Sequence, residues 1–123
     1  MIERTLILVK PDGVKRGLIG EVLKRFEQRG LKIVGLKLVW IDEKFAKRHY
    51  TEEIGKKHGM DVWKRLVDYI KEGPVVAVVL EGVSAIENVR KICGNTYPHE
   101  ALPGTIRGDY CHISKHYANE NKK

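Results

Sequence analysis

Lysine, arginine and hydroxyl side chains are of types that can hold an anion, and Lys10, Arg90, Arg107 and Thr96 are among them. Lys10 closes the apolar run Thr5 to Val9. A rigid strand there would fix its ammonium where it could meet a terminal phosphate; the plainer alternative is a solvated lysine at a strand end. Arg90 falls in the last turn of an expected helix. Its planar fork can bind two oxygens at once, or it can simply complement the helix dipole, worth a few tenths of a kcal/mol. Arg107 and Thr96 lie in a long irregular stretch, where a guanidinium and a hydroxyl can each donate a hydrogen bond; for Thr96 the alternative is an ordinary loop cap. The chain ends in CHISKHYANENKK, with His112 and His116 near its close. An imidazole is a possible nucleophile for group transfer.

Composition fits anion chemistry without specifying it. The chain has 123 residues, a formal net charge of +7 and two cysteines, Cys93 and Cys111. That length suits one domain with a real core. The basic balance suits a nucleotide, a nucleic acid or a membrane surface as partner. Two cysteines cannot make a disulfide framework, so a reducing compartment, the cytoplasm, is expected. No Cys/His cluster has zinc-ligand spacing. The start MIERTLILVK is not a signal peptide, and no stretch approaches the ~18 apolar residues of a membrane span.

The elements that must position these residues follow from periodicity. Thr5 to Val9 reads as a buried strand, broken by Lys10-Pro11-Asp12-Gly13 as a turn. Ile19, Leu23 and Phe26 mark one face of a helix that Gly30 stops. Val34, Leu36, Leu38 and Trp40 share one face of a second strand. Asp42 can cap a short helix reaching His49. TEEIGKKHGMD, polar and with two glycines, reads as a loop. Asp61 can cap a further helix with the stripe Trp63, Leu66, Val67, Ile70, ended by Gly73-Pro74. VVAVVL is a strand buried on both sides. Ser84 and Glu87 have capping-box spacing for a helix to about Cys93. GNTYPHEALPGTIRGDY follows, with three glycines and two prolines, and irregular connections of this length are usually functional. The order is β-α-β-α-α-β-α, one strand short of a split β-α-β pattern.

Four motifs in this order resemble the nucleoside diphosphate kinase family. They are Lys10-Pro11-Asp12-Gly13, Arg16-Gly17-Leu18-Ile19-Gly20-Glu21, Gly94-Asn95-Thr96-Tyr97-Pro98 and Pro103-Gly104-Thr105-Ile106-Arg107-Gly108-Asp109-Tyr110. The resemblance runs from about Thr5 to Cys111. It implies an α+β, ferredoxin-like antiparallel sheet with helices packed on one face. It implies exchange of the terminal phosphate between nucleoside tri- and diphosphates through a phospho-histidine, in two ping-pong steps with Mg²⁺. It implies phosphate contacts by Lys10, Tyr50, Arg90, Thr96 and Arg107. It places the nucleotide base just before Leu66-Val67-Asp68-Tyr69, where the family's stacking phenylalanine falls on Trp63 or Val62; Leu66 either touches the base or packs. Trp63 also lies on the apolar stripe of its helix, and both readings stay open. A homo-oligomer, hexamer or tetramer, is implied as well.

The family's phospho-histidine sits in N-x-x-H followed by a small residue and Ser. None of His49, His58, His99, His112 or His116 has that context. The resemblance therefore expects the nucleophile, and the last edge strand that carries it, beyond Lys123. ANENKK resembles a loop insertion of archaeal members before that strand. Three readings remain: the residues given belong to a longer chain, or a shortened chain binds nucleotide without forming a phospho-enzyme, or His116 substitutes. Two other classes compete. A nucleic-acid module of this fold needs aromatics on its strands, and Trp40 is alone among Leu, Ile and Val. A catalytically inactive scaffold fits a chain that lacks its edge strand.

Overall fold

The computed structural model describes residues 1–111. His112, His116, the ANENKK segment and any strand after Asp109 lie outside the described residues. Three strands, β1 (Ile2–Val9), β2 (Lys32–Trp40) and β3 (Pro74–Val83), form an antiparallel sheet in the order β1-β3-β2. The α+β class expected from the sequence is therefore observed. The helices are α1 (Pro11–Lys15), α2 (Ile19–Gln28), α3 (Glu43–His49), α4 (Glu52–His58), α5 (Met60–Ile70), α6 (Ala85–Cys93) and α7 (Ile106–Tyr110), with a 3-10 turn at Pro98–Glu100. The chain divides into two compact units.

Among the described residues, the first unit comprises Met1–Ile7, Gly20–Leu36 and residues 78–111. Its buried residues include Val22 and Phe26 of α2, Val78 and Leu80 of β3, and Ala85 and Val89 of α6. Val22 and Phe26, one helical turn apart, are the buried residues of α2, while Ile19 and Leu23 of the expected face are half-buried, so the buried stripe is centred closer to Val22 than the sequence spacing places it. Gly82 makes room for Leu31: a Cβ there would come within 2.8 Å of the leucine Cδ2.

The second unit comprises Leu8–Ile19 and Lys37–Ala77. Ile41, Ala46, Tyr50, Trp63, Val67, Ile70 and Val75 form its core, with Leu8, Val39, Ile54 and Leu66 packed against it. The stripe of α5 is thus core, as its spacing predicts. Asp42 caps α3 as expected, its Oδ1 accepting the Phe45 N–H at 2.8 Å.

Several local expectations change. K-P-D-G opens the short helix α1 with Pro11 in its first turn rather than making a simple turn, a position where the missing proline N–H costs nothing. The segment read as a loop after Tyr50 holds α4, whose one buried residue is Gly55. Helix α5 begins at Met60 after Gly59, so Asp61 sits in its first turn and not at the cap. Ser84 occupies the N-cap of α6 at φ 51° with no side-chain cap bond. Glu3 from β1 instead accepts the Ile86 N–H at 3.4 Å. The apolar face of β2 is shared as expected yet open to solvent, with Leu38 64% and Trp40 71% exposed.

Candidate functional site

In the second unit, Lys10 is the N-cap of α1, at the end of β1. Its Nζ lies 5.0 Å from the centroid of the Tyr50 ring, in cation–π range. Tyr50 is buried at the C-cap of α3. His49 meets the same ring edge-on, with centroids 4.7 Å apart. Burial, with the Lys10 charge second, holds the His49 imidazole below its ordinary value and favours its neutral form. The strand end is crowded where Lys10 emerges. A Cβ on Gly13 would stand 2.9 Å from Val9 Cγ1, so glycine lets α1 begin immediately after the strand. Burial pushes the Tyr69 phenol up to about 12, against a smaller downward pull from a backbone hydrogen bond with Asp12.

Trp63 is 8% exposed, and its indole N–H donates to the Tyr50 carbonyl at 2.6 Å. It therefore fixes the backbone at the residue whose ring faces Lys10. Val62 and Leu66 on the same helix are half-buried. Lys10, Tyr50 and Trp63 are thus brought together, with Val62 and Leu66 on the helix that supplies the indole.

In the first unit, Arg90 is exposed in the last turn of α6. Gly94 caps that helix at φ 86°, its N–H donating to the Arg90 carbonyl at 3.0 Å. The Gly94 carbonyl accepts Arg107 Nη1, also at 3.0 Å. Gly94 therefore links the Arg90 backbone to the Arg107 side chain, and a Cβ on it would run into Thr105. Arg107 spends one of its five donors this way. Burial raises the Cys93 thiol against the opposing pull of the nearby Arg107 charge. Thr96 is exposed two residues beyond Gly94. A cavity of about 770 Å³ is lined by Arg90, Lys91 and Asn95 but also by Glu3, Glu87 and Glu100. Its charge is mixed, so it does not by itself select an anion, and neither Thr96 nor Arg107 lines it.

Arg107 sits on the five-residue helix α7 rather than in an irregular loop. Thr105 caps that helix: its Oγ1 accepts the Gly108 N–H at 3.0 Å and donates to the Leu102 carbonyl at 2.6 Å. Asp109 reaches back to accept the Gly104 N–H at 2.8 Å. Asp109 also pairs with Arg25 of α2 at 2.6 Å. Those two donors, Gly104 first, hold the Asp109 carboxyl below the usual carboxylate range. Arg25 was not among the residues singled out by sequence. The available signal was slight: an acid inside a motif, Asp109, that can take a cationic partner from elsewhere in the chain.

Among the described residues, no group of three or more His, Cys, Asp or Glu side chains could hold a metal ion. No helix there is long and apolar enough to cross a membrane.

The family model for nucleoside diphosphate kinase matches residues 3–121. A nucleoside diphosphate kinase of Pyrococcus furiosus is 55% identical over 109 residues, covering 89% of this chain and 65% of that protein. The chain thus spans slightly less than two thirds of that relative's length. A solved nucleoside diphosphate kinase of Borrelia burgdorferi, a transition-state mimic with bound vanadate and ADP, is 50% identical with TM-score 0.93, covering 98% of this chain and 72% of that one. A halophilic nucleoside diphosphate kinase of Halobacterium salinarum in complex with CDP is 46% identical with TM-score 0.85, covering 95% of this chain and 74% of that one. The motifs and the match over nearly all its residues agree: the chain belongs to the nucleoside diphosphate kinase family.

Proposed function

We propose that this protein moves the terminal phosphate of a nucleoside triphosphate to a nucleoside diphosphate by a ping-pong phospho-histidine route, with residues 1–123 forming one domain of the family. One observation carries the reading. A relative that is 50% identical, and superposes over 98% of this chain, holds vanadate and ADP as a transition-state mimic. Phosphoryl transfer asks a protein mainly for positioning and charge neutralisation. Lys10, Arg90 and Arg107 supply cations for the phosphates, Thr96 a hydroxyl donor, and Tyr50 a wall. Mg²⁺ arrives on the nucleotide phosphates as part of the substrate. Half-buried Val62 and Leu66 take the base, and the burial of Trp63 supports Val62 over Trp63 as the contacting residue.

The exposed apolar face of edge strand β2 supports assembly as a homo-oligomer. The free cysteines Cys93 and Cys111 support a cytoplasmic setting.

A second reading is favoured by one sequence observation. None of the five histidines in residues 1–123 has the family nucleophile's context. A polypeptide of these residues alone would then bind nucleotide without turning over. Incubation with Mg²⁺ and ATP labelled on its γ-phosphate separates the readings. An acid-labile phosphate that GDP removes means turnover, and finding it on His116 would make that residue the nucleophile. Binding without label gives the second reading. Neither binding nor label ends both.

A further inference from the structure

Helix α7 carries Arg107, yet it has only five residues. A helix that short cannot hold itself in water. Its sequence, with Gly104 and Gly108 at either end of the turn that contains Arg107, adds backbone freedom rather than removing it. Something outside the segment must fix it. A single side chain of α2 touches it at three residues. Arg25 Nη1 donates to the Gly104 carbonyl at 3.2 Å. The same nitrogen lies 2.6 Å from Asp109 Oδ2. Nη2 donates to the Tyr110 hydroxyl at 3.2 Å, and the guanidinium carbon stands 4.8 Å from the Tyr110 ring centroid. The Tyr110 hydroxyl reaches on to Glu21, one helical turn before Arg25, at 3.4 Å.

These contacts bracket Arg107 on both sides in sequence. Gly104 precedes α7, and Asp109 and Tyr110 close it. The Arg25 side chain is 23% exposed and that of Asp109 30%, so the pair lies at the surface, where solvent screens its charge, and its hold on the segment comes from several directional contacts rather than from one ion pair. Both also make hydrogen bonds to the backbone amide ends at Gly104, one to its carbonyl and one to its N–H. The arrangement needs a planar fork with several donors and a face for stacking, which arginine has and lysine lacks.

We propose that Arg25 is a positioning residue for nucleotide binding: it clamps residues 104–110 so that Arg107 is preorganised for phosphate. This rests on the reading of Arg107 as a phosphate ligand. Arg25 itself does not touch the nucleotide and acts through Arg107.

The test is a double-mutant cycle read by calorimetry with Mg·ADP as the probe, on the whole chain. Arg25→Ala is expected to weaken binding about tenfold, the size of one lost charge-assisted contact. Arg107→Ala weakens it further. The double variant binds no more weakly than Arg107→Ala alone, because Arg25 has no other route to the nucleotide. Asp109→Asn, nearly the same in shape, is expected to reproduce the Arg25→Ala loss and guards against a variant that fails to fold. Arg25→Lys recovers only part of the affinity. Without nucleotide, trypsin cuts after Arg107 faster in Arg25→Ala than in wild type. Wild-type affinity in Arg25→Ala, or losses that multiply in the double variant, overturns the clamp while leaving the assignment of Arg107 intact. Wild-type affinity in Arg107→Ala removes that assignment and the clamp with it.

Discussion

The two groups of candidate phosphate ligands are held in opposite ways. Around Lys10 the order comes from burial. Tyr50 and Trp63 are core residues, joined by an indole-to-carbonyl bond, and the lysine lies against the tyrosine face. Around Arg107 the order comes from polar contacts at half-exposed positions, through Thr105, Asp109, Gly94 and Arg25. Apolar burial is strong and non-directional. Polar contacts contribute less each but fix angles. The first region should therefore fail by unfolding, and the second by losing ligand affinity while the fold persists.

The largest effect should come from the buried side. Trp63→Ala removes a core side chain and the donor to Tyr50, and is expected to cost about 3–5 kcal/mol of stability, measured by urea unfolding. A loss below 1 kcal/mol would mean that the indole is not core. Next, Arg107→Ala should weaken Mg·ADP binding by ~2 kcal/mol with the urea midpoint almost unmoved. A large shift in that midpoint would erase the contrast between the two regions. Asp42→Ala, which removes the cap of α3 just before His49 and Tyr50, is expected to cost about 1 kcal/mol of stability, again by urea.

The smallest effect is a pH dependence. Gly104 and Arg25 depress the Asp109 carboxyl. A depressed acid contributes stability above its unfolded pKa and loses that contribution as pH falls through its folded value. The gap in melting temperature between wild type and Asp109→Asn should therefore be present at neutral pH and close in the acid range. A gap that persists there assigns the effect to shape rather than charge.

What the sequence made legible follows the same division. The strands, α2 and α5 carry apolar patterning, and α3 and α6 were marked by capping signals at Asp42 and Ser84; each appears near its expected place, although β1 begins at Ile2 and β3 runs on to Val83. Trp63 fell on an apolar stripe and is core. Helix α4 was illegible because it buries only Gly55, so TEEIGKKHG shows no stripe. The cap of α6 was misread because local spacing offered Ser84 and Glu87, while a distant acid, Glu3, supplies the contact. Helix α7 was hidden by Gly108 and by Pro103 and Gly104 just before it, and it is contacted by Arg25, 79 residues away from Gly104 in the chain. Motif resemblance marked Arg107 and Asp109 as belonging together, but only geometry identifies the cation that pairs with Asp109.

The most direct test of the account is the titration of the 123-residue chain with Mg·ADP, repeated with Mg·CDP and with single-stranded RNA. The account predicts one saturable nucleotide site per chain, similar affinity for both bases, and weak RNA binding that vanishes with salt. Tight RNA binding with no heat from either nucleotide would contradict it.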